Sequence, residues 1–167
     1  MKNKLLLAFI GLLIYGAISA QDTIRDPYNS SYIRINYDGF SIISHDEPQI
    51  KPFDGGIDDA INTFLESAKR QLGGRNRYNE INKDYIRFSE QKYCYLQDID
   101  RITIHKRERS TYIGKHKKEY GYYVIKFRNP VTDREDVLEF ALSQKSTAEN
   151  VFSALVLLIK NAKGITQ

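Results

Sequence analysis

The chain has 167 residues, 25 of them Lys or Arg and 21 Asp or Glu, with one cysteine and no tryptophan. A lone cysteine excludes an internal disulfide, and the length suits one domain with its own core. The formal charge of +4 is too small to draw the chain to nucleic acid.

The first twenty residues have the order of an export signal. Lys2 and Lys4 form a positive start, Leu5 to Ile14 is apolar, and Gly16-Ala17-Ile18-Ser19-Ala20 is mostly small before polar Gln21-Asp22. The expected cut falls after Ala20, with Ser19 as the alternative. The apolar run is short for a retained span, which needs about 20 residues. Without Lys2 and Lys4 the 25 basic residues fall to 23 against 21 acidic. The expectation is therefore an exported protein, periplasmic or extracellular, soluble after cleavage.

Residues 21–31 are polar, carry Pro27, and read as a flexible leader. Tyr32 to Tyr37 alternates with Ile33, Ile35 and Tyr37 on one face. Asp38-Gly39 then predicts a tight hairpin into Phe40 to Ser44, with positive φ at both turn residues. Pro48, Pro52, Gly55 and Gly56 keep residues 45–56 from forming regular structure. Ile57, Ala60, Ile61, Phe64, Leu65, Ala68 and Leu72 fall at helical spacing. They predict a helix over 57–72, stopped by Gly73-Gly74.

Strand patterns resume at Tyr85–Phe88, Lys92–Leu96 and Arg101–Ile104. His105 to Tyr120 is polar and basic and reads as a long hairpin tip. Tyr122–Phe127 and Val137–Leu142 are the last strands, with Leu138, Phe140 and Leu142 inward. Ser146-Thr147-Ala148-Glu149 has the form of a capping box and predicts the start of the final helix. Gly164 marks its end. Cys94 reads as a small buried apolar residue.

Two stretches carry a family resemblance. Tyr93-Cys94-Tyr95-Leu96-Gln97-Asp98-Ile99-Asp100-Arg101-Ile102 is similar to the strand, corner and strand of pleckstrin-homology-like domains of the bacterial and GRAM type. Val124-Ile125-Lys126-Phe127, Leu138-Glu139-Phe140 and Ala148-Glu149-Asn150-Val151-Phe152 resemble that family's last hairpin and capping helix. The resemblance covers about half of the chain. It implies an α+β fold: a seven-stranded antiparallel PH-like barrel, or strongly bent sheet, closed by a C-terminal helix. The domain would span 32–163, with 45–83 and its helix as an insertion. The first hairpin, Tyr37-Asp38-Gly39-Phe40, has no basic cluster, so no phosphoinositide site carries over.

No catalytic or metal motif stands out, and no cofactor is implied. His105 and His116 would face each other across the basic hairpin, and with Glu108 or Glu119 could hold zinc, but they lack tight ligand spacing and read as solvent-exposed. Asp98 and Asp100 fit a chain corner better than an acid–base pair. The candidate site is the basic hairpin. Lys106, Arg107, Arg109, Lys115, Lys117 and Lys118 surround Tyr112, with Glu108 the one acid between His105 and Lys118. The implied function is an exported, non-enzymatic binding module contacting an anionic envelope component, lipid or glycan, or a protein partner. The alternative is a small-ligand carrier or hydrolytic domain with a pocket between the inserted helix and the barrel.

Overall fold

The computed structural model describes residues 21–25, 31–45, 48–68, 80–89, 92–113 and 115–165. The export segment 1–20 and the glycine stop at 73–74 lie outside them. In chain order the elements are β1 (Gln21–Arg25), β2 (Ser31–Tyr37), β3 (Phe40–His45), α1 (Ile57–Ala68), β4 (Glu80–Ile81), β5 (Tyr85–Ser89) and β6 (Lys92–Tyr95). A 3-10 turn (Leu96–Asp98) leads to β7 (Arg101–Ile113), β8 (His116–Asn129), β9 (Arg134–Ala141) and α2 (Lys145–Ala162).

Two sheets form, ordered β1-β2-β3-β7-β8-β9 and β4-β5-β6. Neighbours are antiparallel except β3 and β7, which run parallel from Ser41↔Arg101 to Ser44↔Ile104. The expected seven antiparallel strands in a barrel are therefore not formed, and the sheet does not close. The physical reason lies in residues 45–100. A parallel pair needs a long crossover between its strands, and this segment supplies it. It is the connection that lays β7 beside β3, rather than an insertion into a run of hairpins.

Alternation sets the inner face of the large sheet, although Ile43, Tyr122 and Val124 on the outer face are buried as well. Phe40, Ile42, Ile102, Ile104, Tyr123, Ile125, Phe127, Leu138 and Phe140 form the inner face and are at most a few per cent exposed. Helix α2 packs against this face. Its Ala148, Val151, Phe152, Ala154, Leu155, Leu158 and Ile159 are buried on more than one side, because α1 packs on it as well. Ala60 and Phe64 of α1 are fully buried, as the helical spacing requires. The small sheet adds Ile81, Ile86 and Cys94 to the same core.

Local chemistry departs from expectation in four places. At the first hairpin Gly39 has φ 65°, but Asp38 stays out of the positive region, so one residue makes the reversal. Ser146 does not cap α2. That helix begins at Lys145 after a 3-10 turn, Leu142–Gln144, in which Gln144 Oε1 accepts the Ala141 N–H at 3.1 Å. Glu149 instead accepts the Gln49 N–H at 2.9 Å. Leu142 leaves the strand and is 39% exposed. Residues 21–25, read as leader, form a strand on β2.

Candidate functional site: a cationic β-ribbon and sheet face

The basic segment is regular strand rather than loop. Strands β7 and β8 pair continuously from Arg101↔Arg128 to Ile113↔His116. Strand β3 ends beside Ile104, and β9 ends beside Tyr122. From Glu108↔Gly121 outward the two strands pair only with each other among the described residues. They make a two-stranded ribbon about 17 Å long at roughly 3.4 Å per residue.

The register separates the cations that the sequence groups together. Arg107 and Arg109 lie on one face with Tyr122, Tyr120 and Lys118. Lys106 and Lys117 lie on the other face. There Lys117 Nζ pairs with Glu119 at 2.5 Å. Lys115 is exposed at the turn. Tyr112 is opposite Lys117 in the register. The side chain of Tyr112 is outside the described set. His105 pairs with Val124 and His116 with Ile113, so the two imidazoles stand eight residues apart along β7, about 27 Å at strand rise. A metal pair across the hairpin is thereby removed. Among the described residues no His, Cys, Asp and Glu side chains gather as a metal site.

The face carrying Arg107, Arg109 and Lys118 continues onto the outer face of the large sheet. Arg34 on β2, Arg101 on β7, and Lys126 and Arg128 on β8 share it by alternation. Two of these are committed. Lys126 pairs with Glu135 at 2.6 Å. Arg128 makes two bonds to Asp100, 2.7 Å from Nη2 and 3.2 Å from Nε. Asp100 thus braces the corner beside buried Ile99 through a guanidinium, not through the backbone donors that the corner reading of Asp98 and Asp100 expects. Arg109 lies 5.8 Å from the Tyr122 ring centroid and Arg34 5.6 Å from that of Tyr32. Such stacking holds a guanidinium in place without neutralising it.

His105 belongs to the same face. Arg107 Nε donates to His105 Nε2 at 2.8 Å, so that nitrogen is unprotonated. Burial, then Arg107, His45 and Lys126, push the imidazole pKa down to about 4. His105 is therefore neutral at pH 7 and acts as an acceptor that aims Arg107. Alternation in Tyr32–Tyr37 and Arg101–Ile104 already puts Arg34 and Arg101 on an outer face. Arg101 shares β7 with Arg107 and Arg109, whereas Arg34 joins them only through the parallel β3–β7 pairing, which has no local signal.

Concave regions lie elsewhere among the described residues. A polar cleft of about 750 Å³ between α1, α2 and residues 51–54 is lined by Asn62, Glu66, Ser146 and Asn150, among others. An apolar cavity of about 310 Å³ lies beside it, between α2, β2–β3 and residues 50–53. No protein-family model, curated protein or solved structure matches the chain. Among the described residues, no helix is long and apolar enough to cross a membrane.

Proposed function

We propose that the chain is an exported, non-enzymatic interaction module that binds anionic surfaces, lipid or acidic glycan, through the outer face of its β-ribbon. The observation that carries this is the register: Arg107, Arg109 and Lys118 share a face with Arg34, Arg101, Lys126 and Arg128. A projecting ribbon can reach a surface that a flat sheet cannot. Each cation near an anionic surface contributes about 1 kcal/mol, screened over about 8 Å at physiological salt.

The register makes this testable by geometry rather than by net charge alone. Replacing Arg107, Arg109 and Lys118 by Gln removes three charges from the outer face. Replacing Lys106 and Lys117 by Gln removes two from the other. Sedimentation with phosphatidylglycerol vesicles at low salt should show wild-type binding, a loss of tenfold or more for the first variant, and little change for the second. The same contrast should hold on an acidic polysaccharide. No wild-type binding at low salt, or equal losses in both variants, would refute the proposal.

A further inference from the structure

The apolar cavity has a charge pattern that the ribbon does not explain. Ile35 and Tyr37 from β2, Ile50 and Phe53 from the irregular segment, and Val156 and Leu157 from α2 line it. All six are only partly buried, although they pack against the core. The charged side chains in its lining are Lys51 and Lys160, and no carboxylate is among them. Lys160 Nζ stands 4.8 Å from the Tyr37 ring centroid. Lys51 also lines the polar cleft, as do Pro52 and Ser153, so the cavity adjoins a water-accessible space. The covering segment is fastened on its N-terminal side. Ser44 Oγ donates to the Pro48 carbonyl at 2.6 Å, and the Gln49 N–H donates to Glu149 Oε1 at 2.9 Å. At its other end, the Gly56 N–H donates to Asp59 Oδ2 at 2.9 Å.

We propose that this cavity binds a single-chain apolar carboxylate, such as a medium-chain fatty acid. Its volume is at the small end of ligand pockets, roughly 300–1,000 Å³, which suits one chain rather than two. The apolar walls gain by covering a hydrocarbon. A carboxylate answers two ammonium groups that keep contact with water, Lys51 exposed at the cleft side and Lys160 only partly buried, so neither partner is buried unpaired.

The test compares decanoate, decanol and decyltrimethylammonium by calorimetric titration, below their micelle-forming concentrations. Decanoate should bind, decanol about tenfold more weakly, equivalent to about 1.4 kcal/mol, and the cation not measurably. The double variant Lys51→Gln/Lys160→Gln should bring decanoate down to the decanol level. Val156→Phe should fill the cavity and abolish both. The double variant changes one exposed and one partly buried side chain, so it decides the matter even if Val156→Phe misfolds. Replacing Arg107, Arg109 and Lys118 by Gln should leave decanoate binding intact. The proposal fails if decanoate does not bind, if decanol binds equally well, if the double variant is unaffected, or if the ribbon variant loses binding.

Discussion

Between Arg101 and Ile104, β7 has β3 on one side and β8 on the other, and Ile102 and Ile104 are fully buried. From Glu108 to Ile113 the same strand has, among the described residues, only β8 beside it, and the side chains described there are mostly exposed. One pair of strands thus meets two sets of constraints. In the inner half a slip of one residue would turn Ile102, Ile104, Ile125 and Phe127 to the outside, so packing dictates the register. In the outer half no such penalty exists. There the ladder and cross-strand neighbours such as Arg109 and Tyr120 hold the register, and charge discourages further strands from adding at the edges. Regular strand geometry therefore extends well past the core that stabilises it, and the extension is where function is free to reside.

The strongest way to break this comparison is to truncate one aromatic in each half of β8. Phe127 is 1% exposed, and Phe127→Ala should destabilise by about 3–5 kcal/mol. Tyr120 is 38% exposed and opposite Arg109, so Tyr120→Ala should cost about 0.2–1 kcal/mol. Urea melts of both variants give the contrast directly. Similar losses would mean that the ribbon is part of the cooperative core.

Gly121 sits at the junction of the two halves and gives a sharper probe. A Cβ there would lie 2.5 Å from Leu142 Cδ1 and 2.9 Å from its Cγ. Leu142 is the residue that leaves the strand pattern, and it occupies the space that Gly121 leaves open. Gly121→Ala should therefore cost about 1–3 kcal/mol despite the general preference for Ala over Gly in a strand. Adding Leu142→Ala should recover most of the loss, seen as a favourable coupling in a double-mutant cycle. If the two effects simply add, Leu142 is not the obstacle.

These sites show how far the sequence is legible. Strands whose alternation meets a buried face can be read from it: Ile102 and Ile104, Tyr123 to Phe127, Leu138 and Phe140 all carry the pattern, and the inner-face members are buried. So can both helices, because Ala60, Phe64, Val151, Phe152 and Leu155 repeat at helical spacing. Leu142 defeats the reading because a strand pattern does not announce where a 3-10 turn begins. The hairpin's regularity is hidden because polar residues at His105 to Tyr120 carry no packing signal, although tyrosine and threonine there favour strand. The parallel pairing is illegible for a different reason. Ser41 and Arg101 are brought together by the chain path between them, and nothing at either residue records it. The outer cationic face inherits that blindness at Arg34, which reaches β7 only through β3, while its other members lie on the β7–β8 hairpin.

The smallest effect tests whether the junction is tuned as well as packed. His105 lies between the halves, facing Arg107, His45, Lys126 and Glu135, and its pKa is down to about 4 against an ordinary 6.5. Linkage gives the sign. Between pH 6.5 and about 4 the unfolded chain binds a proton at His105 that the folded chain refuses, so stability is full above the higher value and falls as acid is added. Because the ring is only partly buried, solvent reduces the contribution to about 1 kcal/mol or less. Urea melts near pH 7 and near pH 5, where most carboxylates remain ionised, should show a fall in stability for the wild type. In His105→Gln, which keeps an acceptor for Arg107, that fall should be smaller. An identical fall in both proteins would place the acid sensitivity in other groups. It would leave His105 as a spacer beneath Arg107 rather than the group that keeps it aimed along the ribbon.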